Sequence, residues 1–254
     1  MKLSEGMNHP EIIAPKERII LALDVDNAFQ ALQIVQKLNG HVGAFKVGLE
    51  LVNAAGIGIL EKLRDAGADR IFYDCKLHDI PNTVGGAMKA IARHGLWMTN
   101  LHASGGKRMI AAAVKALNES SLEAGVAPPI LLGVTLLTSL TEEELHTELL
   151  VPQGASDYVV SMAKLVQEAG GNGVVSSPHE IEAVRAVCGP GFKIVTPGVR
   201  PKGVDAGDQR RTMTPREAVA RGADYLVIGR AISGAEDPVA ATSAIAQEIA
   251  SALL

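Results

Sequence analysis

The richest run of chemically capable side chains is the segment 74–79 (DCKLHD), which follows a short apolar stretch. Residues two apart on a strand face the same side, so Asp74 and Lys76 are expected to share a face while Cys75 points away. Carboxylates beside Lys76 would hold it as the ammonium, because nearby opposite charge favours the charged form. Such a lysine is a poor nucleophile and a good acid. It could stabilise a carbanion and then protonate it.

Two further residues extend this charged group. Lys46 lies near the end of the preceding predicted strand and can stand beside Asp74, and Asp79 closes the run that contains Lys76. Taken alone, Asp79 could equally cap the helix predicted to begin near Pro81. Surface ion pairs contribute only about 0–1 kcal/mol and buried charges are costly, so four clustered charges indicate function rather than stability.

A second group of residues is suited to phosphate. The segment 227–230 (VIGR) ends a predicted strand with Gly229, which permits close backbone approach, and Arg230, which offers a guanidinium fork. The segment 196–200 (TPGVR) leads into the long polar loop 201–215. Loops of that length in compact domains are usually functional or disordered.

The elements that must position these residues are strands alternating with helices. Eight apolar or β-branched runs are predicted as strands: 18–24, 43–48, 70–75, 97–102, 130–136, 173–177, 193–196 and 224–229. Helical periodicity lies between them, and a ninth helix is predicted over 238–254. Strands that are apolar throughout suit a parallel sheet buried on both faces. We therefore predict a single-domain (β/α)8 barrel over 1–254, with residues 1–16 as an N-terminal extension.

A doubly wound sheet is the alternative fold, but it usually has fewer strands, and no G-x-G-x-x-G follows the first run.

In a barrel, the chemistry lies at the carboxyl ends of the strands. Polar residues collect at several of these ends: Asp24, Lys46, the 74–79 segment, Thr138, Arg200 and Arg230. One aspartate after a strand is more often a helix cap, whereas charges at several strand ends indicate a site.

Composition excludes several classes of function. The net charge is −4 and only 3% of residues are aromatic, which argues against general nucleic-acid binding. Cys75 and Cys188 form no disulfide framework and lack metal-ligand spacing. The N-terminus lacks a signal-peptide core and no run of 18 apolar residues follows. We expect a soluble cytoplasmic protein that binds no metal, nucleic acid or membrane.

Eight motifs span nearly the whole chain: LALD (21–24), FKVG (45–48), DCKLHDIPNT (74–83), NLHASGG (100–106), LTS (137–139), TPGVRP (196–201), GDQRR (207–211) and VIGR (227–230). In these motifs and their order, the chain resembles the orotidine 5′-phosphate decarboxylases of bacterial type. The resemblance implies decarboxylation of orotidine 5′-phosphate to UMP, the last step of de novo pyrimidine nucleotide synthesis. It also implies a homodimer with shared active sites, without metal or organic cofactor.

The resemblance further implies a role for individual residues. Lys76 matches the family's proton donor at the C6 carbanion, and Lys46, Asp74 and Asp79 match the rest of its charged tetrad. The implied substrate contacts are Asp24, Lys46, Asp74, Asp79, Thr83, Thr138, Arg200, Gln209, Gly229 and Arg230. Within that set, Asp24 and Lys46 match ribose contacts, Thr138 a pyrimidine contact, and the last four the phosphate side. Asp79 and Thr83 are expected near the ribose of the partner subunit's ligand.

Three other functions remain open on the residues alone. A metal-dependent keto-gulonate-phosphate decarboxylase of the same suprafamily would bind Mg²⁺ through carboxylates, but Lys46 stands where such a site prefers an acid. A Schiff-base aldolase would use Lys76 as nucleophile, against which its flanking carboxylates argue. A non-enzymatic sensor of phosphate ligands would not need Lys76 between Asp74 and Asp79.

Overall fold

The computed structural model describes residues 13–201 and 213–253. Its strands are β1 (Ile19–Ala22), β2 (Ala44–Val47), β3 (Ile71–Leu77), β4 (Met98–His102), β5 (Ile130–Val134), β6 (Gly173–Val175), β7 (Lys193–Thr196) and β8 (Tyr225–Ile228). They form a closed barrel in chain order, and β1 pairs in parallel with both β2 and β8. The predicted eight-stranded parallel barrel is confirmed. Residues 1–12 of the predicted N-terminal extension lie outside the described residues.

Helices connect successive strands. They are α1 (Ala28–Leu38), α2 (Leu49–Ala55), α3 (Ile59–Asp65), α4 (Pro81–Ala92), α5 (Gly106–Ala124), α6 (Glu142–Thr147), α7 (Ala155–Glu168), α8 (Ile181–Cys188), α9 (Pro215–Ala220), α10 (Arg230–Ser233) and α11 (Pro238–Ala250). Two helices, rather than the predicted one, join β2 to β3 and β5 to β6. Gly56, at φ 75°, ends α2 and causes the first of these breaks. No helix in the described ranges combines the length and apolar character needed to cross a membrane.

Strand side chains alternate between the barrel interior and the helical layer. One buried cluster holds residues from β1, β2, β3, β4, β5, β7 and β8: Ile20, Ala22, Ala44, Phe72, Met98, Leu132, Val195, Tyr225 and Val227. The larger cluster, between barrel and helices, contains their strand neighbours such as Leu21, Phe45 and Ile194. Because of this alternation, the side chains of Lys46 and Asp74 point into the barrel interior near the carboxyl ends of their strands.

Aromatic and ionic contacts stabilise the end of the barrel at which the strands begin. The rings of Trp97 and Tyr225 pack edge to face with centroids 5.0 Å apart. Arg70 lies 5.6 Å over the Trp97 ring and donates to Glu17 Oε2 at 3.0 Å. Because Trp97 precedes β4 and Tyr225 begins β8, this cluster covers the amino ends of the strands.

An arginine ties the start of β7 to the start of β8. Arg185 Nη1 donates to the carbonyls of Gly189 at 2.7 Å and Phe192 at 2.6 Å. Its Nη2 donates to the Gly222 carbonyl at 2.8 Å and to Asp224 Oδ2 at 2.6 Å. Both charged side chains are mostly buried, 21% and 14% exposed, so the pair is shielded from solvent.

Candidate active site

A cavity of about 660 Å³ opens at the carboxyl ends of the strands. Among the residues singled out in the sequence, those that line it are Asp24, Lys46, Asp74, Lys76, Thr138, Arg200, Gly229 and Arg230. Apolar side chains such as Phe72 and Val134 form its floor and wall, and Glu50 and Ser233 also reach it. The sequence analysis missed Glu50 and Ser233, because neither lies in a run that marks a strand end.

Asp74 is the centre of the charged group. Its Oδ1 lies 2.7 Å from Lys76 Nζ, and its Oδ2 lies 3.3 Å from Lys46 Nζ. Lys46 Nζ also lies 3.0 Å from Asp24 Oδ1, so the four charges alternate in a row. The side chains of Asp74 and Lys46 are 10% and 11% exposed, whereas Lys76 is 29% exposed and Asp24 57%. Lys76 is therefore the lysine more accessible to a ligand in the cavity.

The electrostatics hold the two buried members of this row in their charged forms. Burial alone would lower the pKa of Lys46, but the charges of Asp74 and Asp24 outweigh burial and raise it. Burial would likewise raise the pKa of Asp74, but Lys46 and Lys76, with hydrogen bonds from Lys76 and Asn100, lower it. Asp74 is thus a buried carboxylate, and Lys46 beside it an ammonium, at neutral pH.

Lys76 has an unusual backbone conformation. Its φ is +48°, the left-handed region that non-glycine residues rarely adopt. It lies where β3 shifts register against β4, between Tyr73 and Leu77. There the Lys76 N–H donates to Asn100 Oδ1 at 2.7 Å, and Asn100 Nδ2 donates to Asp74 Oδ1 at 2.6 Å. Asn100 thus contacts both Lys76 and Asp74.

Asn100 was not among the residues predicted for the site, although the NLHASGG motif begins with it. It is fully buried in β4 and lies behind Asp74 rather than in the cavity wall. The sequence does carry a signal, because an amide inside an apolar strand is disfavoured there and must find hydrogen-bond partners. Sequence reasoning that looks for charges alone overlooks such a residue.

Of the predicted residues that the structure describes, Asp79 and Thr83 do not line the cavity. Asp79 is exposed, and its Oδ1 accepts from the Ile80 N–H at 2.6 Å. Ile80 is the N-cap of α4 and Pro81 its first residue, so the helix-cap role considered for Asp79 is not observed. Thr83 is exposed on α4. Gln209 lies outside the described residues.

Three of the predicted phosphate residues, Arg200, Gly229 and Arg230, also line the cavity. Gly229 is the N-cap of α10, and Arg230 is the first residue of that helix. Gly198, at φ 75°, turns the chain after β7 and precedes Arg200, whose Nη1 donates to the Val199 carbonyl at 3.1 Å. Arg200 and Arg230 therefore contribute positive charge to the cavity that the lysine–aspartate row also lines.

Asp24 and Asp74 are both paired with lysines. Lys46 Nζ lies between Asp24 and Asp74, in the place where a cation bound by both carboxylates would lie. Among residues 13–201 and 213–253, no cluster of three or more His, Cys, Asp or Glu side chains is arranged to hold a metal ion. The geometry of the carboxylates thus favours ammonium partners.

Known proteins resemble this chain over most of its length. The model of the Orotidine 5′-phosphate decarboxylase / HUMPS family matches residues 17–245. Orotidine 5′-phosphate decarboxylase of Moorella thermoacetica is 50% identical over 234 residues, which cover 92% of each chain. The same-named protein of Syntrophomonas wolfei is 48% identical, covering 92% of this chain and 98% of its own. The crystal structure of orotidine 5′-phosphate decarboxylase from Lactobacillus acidophilus superposes with a TM-score of 0.80 at 40% identity, covering 91% of this chain and 98% of that one.

Proposed function

The chain belongs to the Orotidine 5′-phosphate decarboxylase / HUMPS family, and on that premise we propose that it decarboxylates orotidine 5′-phosphate to UMP in pyrimidine nucleotide synthesis. The observation that carries this proposal is the pair formed by Lys76 and Asp74 at 2.7 Å, inside a cavity that Arg200 and Arg230 also line. The lysine–aspartate pair suits a reacting carbanion, and the two arginines suit a phosphate.

The reaction breaks the bond between C6 of the pyrimidine and its carboxylate. The electron pair stays on C6 as CO2 leaves, and a proton from Lys76 Nζ completes the product. The resulting amine regains its proton from water. Enzymes lower barriers by about 8–23 kcal/mol, and a carbanion without an adjacent electron sink requires the upper part of that range. A preorganised ammonium at the developing charge can supply a large share.

Asp74 serves this step in two ways. With one oxygen on Lys76 and the other on Lys46, it fixes the direction of both ammonium groups before substrate binds. Its own negative charge, held in a site from which water is largely excluded, repels the substrate carboxylate and favours its departure as neutral CO2. Lys46 and Asp24, which are paired with each other, would bind the ribose hydroxyls.

Binding of the phosphate supplies energy at a distance from the reacting carbon. Arg230 and the Gly229 backbone at the start of α10, with Arg200 after β7, would hold the phosphate, and Thr138 would contact the pyrimidine. Gln209 is proposed for the phosphate side as well. Energy from such remote contacts can be used to assemble the reactive state around the ring.

A metal-dependent sugar-phosphate decarboxylase and a Schiff-base aldolase are the alternatives. Lys46 between Asp24 and Asp74 disfavours Mg²⁺ at those carboxylates, because a second cation there would be repelled. The short contact of Lys76 with Asp74 favours the ammonium, whereas a Schiff base needs the neutral amine. Neither alternative explains the row of alternating charges as well as proton donation by Lys76 does.

We further propose a homodimer in which Asp79, and Thr83 on the next helix, enter the partner's site. Asp79 is exposed and does not line its own chain's cavity, and the neighbouring Ile80 is 66% exposed. Beside them, α4 and α5 border a groove that includes the exposed residues Asn82 and Gly86. A two-fold dimer would make the exchange of Asp79 reciprocal.

The proposed environment is the cytoplasm, and no nucleic-acid partner is proposed. Cys75 and Cys188, the only cysteines of the chain, are unpaired and buried, which suits a reducing compartment. The net charge of −4 disfavours a phosphate backbone as ligand.

The test is to follow the loss of orotate absorbance after orotidine 5′-phosphate is added to protein pretreated with EDTA. We expect turnover at the rate of the untreated protein. Activity that disappears with EDTA and returns with Mg²⁺ would favour the metal-dependent enzyme. Borohydride added with substrate should leave Lys76 unmodified, and an adduct there by mass spectrometry would favour the aldolase.

A further inference from the structure

The β3–β4 pairing is irregular at the reactive lysine. The two strands are in register up to Tyr73 and again from Leu77. Between those points β3 contributes residues 74–76, whereas β4 contributes only Asn100. Such a bulge redirects side chains and removes regular ladder hydrogen bonds, and bulges of this kind often lie next to active sites. Here it brings both Asp74 and Lys76 to the cavity.

The Asn100 side chain spans this irregularity. Its Oδ1 accepts from the Lys76 N–H at 2.7 Å, which stabilises a backbone with φ of +48°. Its Nδ2 donates to Asp74 Oδ1 at 2.6 Å, the same oxygen that Lys76 Nζ contacts. Asn100 is fully buried, so water cannot replace either bond. One amide therefore connects the main chain of Lys76 to the carboxylate that orients its ammonium.

We propose that Asn100 is the positioning residue of the Asp74–Lys76 pair, setting the direction of the Lys76 ammonium without touching substrate. The inference rests on the proposed function, since it assigns Asn100 a part in proton donation by Lys76. The cavity lining includes Asp74 and Lys76 but not Asn100, so its effect must pass through them. Asn100 should affect the chemical step and leave substrate binding largely unchanged.

The neighbouring residue Thr99 offers a matched control. It is also fully buried in β4 and contacts the same strand, since its Oγ1 donates to the Tyr73 carbonyl at 3.1 Å and lies 3.4 Å from Cys75 Sγ. Neither of these two contacts involves Asp74 or Lys76. Thr99→Val therefore removes a buried hydrogen bond between the same two strands without removing a contact of Asp74 or Lys76.

The experiment compares Asn100→Asp, Asn100→Ala and Thr99→Val with the wild-type protein. Asn100→Asp keeps an acceptor for the Lys76 N–H but sets a second carboxylate against Asp74, which raises the pKa of that pair. We expect kcat to fall roughly 10- to 100-fold in both Asn100 variants, the effect of losing a hydrogen bond to a charged group. KM, and the Kd for UMP, should stay within about 3-fold, and Thr99→Val should keep kcat within about 3-fold.

The pH profile separates positioning from mere packing. In Asn100→Asp the acid limb of kcat should move to higher pH, whereas Asn100→Ala should lower kcat with a smaller shift. Circular dichroism and thermal melts establish that each variant is folded.

Several results would overturn the inference. These are an Asn100→Asp variant with wild-type kcat and pH profile, an equal loss in Thr99→Val, and Asn100 variants that fail to fold while Thr99→Val folds. A wild-type protein that does not decarboxylate orotidine 5′-phosphate would refute the proposed function instead, so the two failures are distinguishable.

Discussion

Exchange of Asp79 between subunits can be tested by combining two defective chains. Lys76 lies in its own chain's cavity, 2.7 Å from Asp74, whereas Asp79 is exposed and outside that cavity. Lys76→Ala and Asp79→Ala would then damage different sites when they are placed in one dimer. In such a mixed dimer, one site carries both substitutions and the other carries neither.

The expected recovery follows from this geometry. Loss of one preorganised charged group typically lowers kcat by about 10²–10³, so each mutant homodimer should retain about 1% of activity or less. The two chains are co-expressed with different affinity tags and purified over both, so that every dimer is mixed. Each mixed dimer then has one intact site, and its activity should approach about half that of the wild-type dimer.

The assay is the decrease in orotate absorbance, with mixed dimers verified by native mass spectrometry. The matched control combines Lys76→Ala with Asp74→Ala, whose side chains contact each other within one chain. Every site of that dimer keeps one defect, so we expect no recovery. If the Lys76 and Asp79 pair stays at the control's level, or if the chain forms no dimer, the shared site is refuted.

Three further predictions concern phosphate, stability and pH. Arg230→Ala should lower kcat/KM for orotidine 5′-phosphate by roughly 10- to 150-fold and leave turnover of the bare nucleoside nearly unchanged, and equal losses would show that the phosphate lies elsewhere. Arg185→Ala should reduce the free energy of unfolding by about 3 kcal/mol in urea titrations, because it removes the charged partner of Asp224, which keeps the Ile194 N–H, and the donor to three carbonyls. The control Lys107→Ala, at an exposed pair, should cost less than about 1 kcal/mol. The folded pKa of Asp74 lies below its unfolded value, so its contribution to stability is present above about pH 4 and is lost as the pH falls further. Urea midpoints of Asp74→Asn should therefore depend less on pH below pH 4, and slopes identical to wild type would contradict this.

Local patterns were sufficient to predict the barrel. Each predicted strand corresponds to one observed strand, because buried parallel strands are continuous apolar runs that end at polar residues or glycine. The number of helices was harder to predict. The break between α2 and α3 depends on the backbone conformations of Gly56 and Gly58. Two glycines in a helical pattern do not show from the sequence alone whether the helix ends there or continues.

Three members of the charged row could also be predicted from the sequence. Lys46, Asp74 and Lys76 lie near the carboxyl ends of two neighbouring strands, so the topology alone brings them together. Asn100 was missed because its importance depends on a register shift between two strands, which no single run of residues reveals. The place proposed for Asp79 is the site of a second chain, which neither the sequence pattern nor the structure of one chain can supply.

The left-handed backbone at Lys76 has a consequence for protein engineering. A residue other than glycine in this conformation costs on the order of 1 kcal/mol, so glycine at position 76 would relieve the strain. The same substitution would remove the ammonium that lies 2.7 Å from Asp74 Oδ1, so a buried carboxylate would lose one of its partners. Backbone strain and charge pairing therefore act in opposite directions at this residue, and selection for heat resistance alone would not favour glycine there.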